Sequence, residues 1–424
     1  MGEQMIDKPS TEATASPEGG ARKGSSSKDT EAKRLGILDD CRGFAIMLVF
    51  LAHCAASLPA NLQSAFERPW GFAWSAATGS VDPQTIIAFL AFFPMHLGWV
   101  ALPIFFVVSG FCIHLTYSQP ARPDFRAFYI RRFFRIYPPY LIPLLFFAFI
   151  FPWTRLPFNK LTYWGQLGTH LLMCHNVSEL SVCAINTSYW TLAVEVQLYM
   201  LFPLVMLYVR RSSYGRVLLL LAILELCLRA FSNSVYDIPG GFAPAFIRTS
   251  PFFYCFSWTT GAALADAYLT RKPLPFSKVH PLVWLVVGVL TCGYPTTAYS
   301  FPFFALATVS FLSRRLSRVS TEERYPRLGR YLRATGIYSY SIYLVHTPIL
   351  MALIRECEAR IPGMDKNPFL ICAIGLSTWP FFFALGALMY HWVEKPSIAF
   401  GKKFLRLLPK PTERPVVFAN QGAV

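Results

Sequence analysis

Residues 37–53 read Ile37-Leu-Asp-Asp-Cys-Arg42-Gly-Phe-Ala-Ile-Met-Leu-Val-Phe-Leu-Ala-His53. An unbroken run of small and apolar residues separates a cation from an imidazole. At 100° per residue the eleven steps from Arg42 to His53 end ~20° past three full turns, and the rise is ~16 Å. As a helix, this segment puts Arg42 near one membrane face and His53 deep toward the other, on one side of the helix. Ionisable groups inside a span are costly and invite a functional reading. Two readings fit the spacing. One is a site for a phosphate-bearing donor that enters past Arg42 and reacts near His53. The other is an Arg snorkelling to headgroups and an interfacial His.

The rest of the chain places this segment in a membrane. Of the 424 residues, 54% are hydrophobic and 15% charged, against ~45–50% and ~25% in soluble domains. The expected fold class is all-α: a polytopic membrane helix bundle of about ten transmembrane helices. The apolar stretches lie near 37–57, 98–117, 137–153, 189–209, 216–231, 250–268, 281–295, 298–312, 336–355 and 369–390. The pieces 86–96 and 161–173 are too short to span and read as re-entrant or interfacial. Residues 1–34 read as a disordered cytoplasmic tail, 35–396 as the membrane domain and 397–424 as a cytoplasmic C-terminal tail.

The net charge of +16 is read as topology and not as nucleic-acid binding. Thirty Lys and Arg fall in one alternate set of connections, six in the other and three within the spans. By the positive-inside rule both termini are cytoplasmic. The ten Cys lie mostly within spans, as small apolar residues. Cys174 and Cys183 share an outward loop, where an oxidising compartment would permit a disulfide. Asn176-Val-Ser178 and Asn186-Thr-Ser188 are glycosylation sequons, matches too short to indicate a source. No Cys/His group has metal spacing and no Gly-rich phosphate loop is present.

Further polar residues lie inside or beside spans. Glu195, in Trp190-Thr-Leu-Ala-Val-Glu195, sits ~10 Å into its span, a depth comparable with His53. A carboxylate that orients the imidazole is one reading; a packing hydrogen bond to Tyr or Gln is the other. Arg132 and Arg135 are spaced to share a helix face at the membrane surface. That suits bidentate phosphate recognition, and equally an anionic lipid surface. Ser109-Gly110 reads mainly as a close-packing point. His346, mid-span, reads mainly as a hydrogen-bonded structural residue.

These residues together resemble the membrane-bound acyltransferase family 3. The likeness runs from about Leu35 to Lys403. It rests on Leu38-Asp39-Asp40-Cys41-Arg42-Gly43 with His53, Phe105-Phe-Val-Val-Ser109-Gly110-Phe111 and the Arg132/Arg135 pair. It rests also on Trp190 to Glu195 with Tyr199 and Pro203, on Ser339 to His346, and on Val393-Glu-Lys-Pro396. The family pattern often carries Gly where Asp40 stands, and a carboxylate there would orient Arg42 or weaken its phosphate binding. Many members carry a soluble hydrolase-like domain after the last span. Only about 30 residues follow it here, so that domain is expected to be absent.

The resemblance implies an O-acyltransferase of the inner membrane. Its co-substrate would be acyl-CoA, most simply acetyl-CoA, with no bound cofactor and no metal. Arg42, Arg132 and Arg135 would hold the donor. His53 would act as general base or transient acyl carrier, with Glu195 as its orienting partner. The acceptor would be a hydroxyl of an exported or lipid-linked glycan, or alternatively of a lipid or small hydrophobic metabolite. A proton-coupled transporter relaying protons through His53 and Glu195 is the reading from another class, but the internal repeat common in transporters is not seen.

Overall fold

The computed structural model describes residues 19–118, 124–236, 243–293, 296–317 and 327–408. Among them are helices and loops and no strand. The helices used below are α1 (Gly19–Ala55), α2 (Pro83–His96), α3 (Ala101–Ser118), α4 (Phe125–Leu145), α5 (Leu161–Leu171), α6 (Trp190–Arg211) and α7 (Tyr214–Tyr236). They continue with α8 (Cys255–Thr270), α9 (Pro281–Leu290), α10 (Thr297–Ser317), α11 (Arg327–Arg360), α12 (Pro368–Ser377), α13 (Trp379–Met389) and α14 (Lys395–Leu407).

By length and composition, six helical stretches can cross a membrane: Pro83–Ser118, Phe125–Ile150, Trp190–Arg211, Tyr214–Val235, Arg327–Arg360 and Pro368–Leu407. Six, and not ten, meet that criterion among the described residues. The other four stretches are helical, but each departs from a free-standing span. α1 carries Asp39, Asp40 and Arg42 in its membrane-proximal part. α8 has 16 residues and α9 has 10. α10 is diluted by Ser300, Thr308 and Ser310, all buried. Hydropathy counts every apolar run as lipid-facing, whereas α8 is covered by protein along most of its length. Exposed Leu, Ile and Val on α7 and α9 leave an apolar surface suited to lipid.

Two expectations about segments change. The piece 86–96 is continuous with the next stretch: α2, with Pro94 inside it, runs through one 3₁₀ turn (Leu97–Val100) into α3. α1 starts at Gly19, inside the stretch 1–34 read as a disordered tail, of which 1–18 lie outside the described residues. The Ala, Lys, Arg and Glu of 21–34 are good helix formers and extend the turn set up by the span.

Glycine decides the closest crossings. A Cβ on Gly43 would lie 2.0 Å from the Leu332 carbonyl oxygen, and one on Gly336 would lie 1.8 Å from that of Asp39. α1 and α11 therefore touch backbone to backbone. α3 and α8 do the same through Gly110 and Gly261, the close approach that small residues allow between membrane helices.

Proline sets the remaining joints. A helical proline frees the carbonyl four residues earlier, which needs a partner in a water-poor interior. Pro348 frees Leu344, whose oxygen accepts from Asn186 Nδ2 at 3.2 Å and Tyr189 OH at 2.9 Å. Pro302 frees Ala298, which accepts from Arg229 Nη1 at 3.0 Å. Pro138 frees Phe134, which accepts from Ser397 Oγ at 2.5 Å. At these three prolines the freed carbonyl becomes an attachment point for another element.

Candidate active site

Contacts between Arg42 and Cys112, Arg132 and Thr116, Arg210 and Tyr117, and Arg333 and Asp40 gather the basic loops at one end of the bundle. A cavity of about 330 Å³ runs inward from that end. Its mouth holds Arg42, Arg132 and Arg135, its middle Ser109, Glu195 and Tyr199, and its far wall Thr191 and Tyr343.

Arg42 donates to Asp39 Oδ1 at 2.6 Å and to Cys112 Sγ at 3.1 Å. Asp40, the departure from the family pattern, turns the other way and pairs with Arg333 of α11 at 3.1 Å. It braces the α1–α11 crossing and does not address Arg42. Arg132 donates to Thr116 Oγ1 at 3.3 Å, and its guanidinium lies 5.8 Å from the Tyr199 ring. Its Nε is buried without a partner among the described residues. Arg135 faces the same cavity and forms no hydrogen bond or ion pair with a described residue. A site with three guanidinium groups and spare donors favours a multiply charged anion such as phosphate.

Glu195 does not meet His53. Its Oε1 accepts from Ser109 Oγ at 2.7 Å and, in a short contact, from Tyr199 OH. Trp258 Nε1 donates to Ser109 at 3.3 Å. Helical rise gives a residue's position along the axis and not its direction around it: Glu195 points into the cavity beside α3, and His53 points toward α11.

The partner of His53 is His346. The two imidazoles meet edge-on, with His346 Nε2 3.2 Å from His53 Nδ1. His53 Nδ1 also lies 2.9 Å from the Val49 carbonyl oxygen. His346 Nδ1 lies 3.0 Å from the Tyr343 carbonyl oxygen and 3.2 Å from that of Ile342. Carbonyls only accept, so Nδ1 carries the proton on both rings. That leaves His53 Nε2 as the free base, and it faces Ser188 Oγ at 3.4 Å. Ser188 Oγ is 2.5 Å from Thr347 Oγ1, which lies 3.0 Å from His346 Nε2. The serine is held in place by Asn186, whose Oδ1 accepts its backbone N–H at 3.0 Å.

A single layer of residues separates the cavity from this cluster. Tyr343 OH makes short contacts with Thr191 Oγ1 and with the Ser188 carbonyl. From the sequence His346 read mainly as a hydrogen-bonded structural residue, and neither Ser188 nor Thr347 stood out. The signal available was that His346 and Thr347 directly precede Pro348. Helix breaks inside a membrane are where side-chain chemistry concentrates.

The remaining expectations resolve around this site. Cys174 and Cys183 are free thiols and form no disulfide. Asn176 and Asn186 are buried and bonded to protein, Asn176 to Gln197 and the Thr249 carbonyl. Neither is presented for glycosylation. No group of three or more His, Cys, Asp or Glu among the described residues could hold a metal ion.

Residues 36–392 match the family model described as an acyltransferase domain. The chain belongs to that acyltransferase family. One relative is a candidate peptidoglycan O-acetyltransferase of Bacillus subtilis, 26% identical over 343 residues, or 70% of this chain and 50% of the relative. Another is a peptidoglycan O-acetyltransferase of Listeria monocytogenes, 23% identical, with 75% of this chain and 55% of the relative covered. A third, an acyltransferase of Streptomyces mycarofaciens, is 26% identical, with 75% and 79% covered. The chain thus spans about half the length of the first two relatives. No solved structure matches.

Proposed function

We propose that the chain moves an acyl group, acetyl, from cytoplasmic acyl-CoA to a hydroxyl of an exported or lipid-linked glycan. The observation that carries this reading is a cavity with three arginines at its mouth and its far wall one residue layer from His53 Nε2. Arg42, Arg132 and Arg135 take the donor phosphates. The pantetheine arm follows the cavity past Glu195 and brings the thioester toward His53. His53 removes a proton from the attacking hydroxyl, and His346 holds it in the required tautomer. Glu195 lines the arm's path and is not the orienting carboxylate. The basic end faces the cytoplasm, with both termini there, and the His53 end faces the outer side of the plasma (inner) membrane. The names of two relatives support a glycan acceptor.

The test compares a deletion strain complemented with the wild type or with His53→Ala at equal membrane abundance. Surface-glycan ester is read by NMR and acetyl-CoA consumption in isolated membranes. Loss of both signals in His53→Ala is expected. Equal ester in both strains overturns the assignment of His53, and wild-type membranes that consume no acetyl-CoA overturn the donor.

A further inference from the structure

We propose that Ser188 is acylated in transit, as a serine nucleophile served by His53. The inference rests on the acyltransferase reading above and adds a covalent step to it.

Two proton orders are open to the cluster, and one of them arms the serine. Both Nδ1 positions are protonated, so His53 Nε2 and His346 Nε2 are lone pairs. If Thr347 donated to His346 Nε2, Ser188 would have to donate to Thr347, and His53 Nε2 would have no donor. If Thr347 donates to Ser188 Oγ, Ser188 donates to His53 Nε2, and His346 Nε2 receives the shared His53 Nδ1–H. Only this order gives His53 Nε2 a donor, and it leaves the 3.0 Å contact between Thr347 Oγ1 and His346 Nε2 without a proton. It aims the serine hydroxyl at a base that backbone carbonyls and a second imidazole orient, the arrangement that activates a nucleophile.

Position supports the same role. The Thr191 and Tyr343 side chains line the cavity, and His53 does not. Ser188 belongs to both sides: its carbonyl accepts from Tyr343 OH, and its Oγ faces His53. A group relayed through Ser188 needs the donor thioester and the acceptor hydroxyl at the cluster in turn and not together.

In the first step His53 Nε2 takes the Ser188 proton and Oγ attacks the thioester carbonyl. The C–S bond breaks, and the thiolate leaves as a thiol with the proton from the imidazolium. In the second step His53 Nε2 takes the proton of the acceptor hydroxyl, whose oxygen attacks the Ser188 ester. The C–Oγ bond breaks and Oγ recovers the proton.

The test incubates the full chain, in nanodiscs without acceptor, with radiolabelled acetyl-CoA, followed by acid quench and peptide mapping. The wild type should carry the label on Ser188. Ser188→Ala should carry none there and lose about a hundredfold or more of transfer. Ser188→Cys should trap the label as a thioester cleaved by neutral hydroxylamine, which shows a folded, loaded chain. If the wild type consumes acetyl-CoA but position 188 is never labelled, or if Ser188→Ala transfers within twofold of wild type, the proposal falls while the acyltransferase reading stands. If the wild type consumes no acetyl-CoA, both fall.

Discussion

An imidazole serves as a base when one ring nitrogen is kept unprotonated and aimed. For His53 the Val49 carbonyl and His346 do this at one nitrogen and leave the other for Ser188. His346→Ala should therefore lower the transfer rate about 10–100-fold with the KM for acetyl-CoA nearly unchanged. Glu195→Gln keeps an acceptor for Ser109 and Tyr199 and should leave the pH profile of kcat at its wild-type position. A profile moved by Glu195→Gln and not by His346→Ala would restore the carboxylate as the partner of His53. A second histidine pair lies in the far-end loops, where His170 and His175 stack at 4.0 Å and are buried. Burial pushes His170 down to about 4 and His175 to about 3, and the neighbouring His170 lowers His175 further. Both values lie below the ordinary 6.5, so the unfolded chain binds protons first. Stability is fully present above that ordinary value and falls as pH drops toward the two folded values, by up to about 1.4 kcal/mol per unit per ring. Thermal unfolding in nanodiscs between pH 7 and 4 should show this slope, and a His170→Phe/His175→Phe chain should flatten it.

At the scale of elements, prolines and their borrowed partners hold the cluster of His53, His346, Thr347 and Ser188. Asn186 and Tyr189 both serve the carbonyl freed by Pro348, which fastens the segment carrying Ser188 to the turn carrying His346 and Thr347. Removing one donor leaves the other in place. Asn186→Ala or Tyr189→Phe alone should cost little through this carbonyl, and the double change should add about 1–3 kcal/mol for the bare acceptor. The melting temperatures of the three chains check this, and transfer activity should fall with the double change. Arg229 acts similarly for Pro302, and it is also locked to the buried Glu225 at 2.9 Å and to the Phe253 carbonyl at 2.7 Å. Arg229→Ala strands that carboxylate and should destabilise the fold by about 3–5 kcal/mol, measured by unfolding in the same nanodiscs.

On the scale of the whole molecule, the groups along the cavity change in kind: guanidinium groups at the mouth, histidines and hydroxyls at the far end. Under the acyltransferase proposal the first set binds and the second reacts, so their variants should separate kinetically. Arg132→Gln should raise the KM for acetyl-CoA about tenfold and weaken its salt dependence, with a smaller effect on kcat. Steady-state kinetics at two ionic strengths check the split. A fall in kcat alone would place Arg132 in the reacting cluster.

The sequence by itself determined the helical membrane character of the chain. It also singled out Arg42, Arg132 and Arg135, which the fold brings to one cavity. Composition, helical periodicity and the alternation of Lys and Arg are local quantities, readable along one chain. Only the tertiary structure decided the partner of His53, the direction of Glu195, the pairing of Asp40 with Arg333 and the burial of Asn176 and Asn186. It also decided which apolar stretches are covered by protein. Those outcomes depend on the rotation of each helix about its axis and on contacts between residues far apart in sequence. Rotation here is set by glycine crossings such as Gly43 on Gly336 and by carbonyls freed at prolines. Helical spacing gives a residue's depth and its neighbours on the same helix; which helix it faces is decided when the bundle packs.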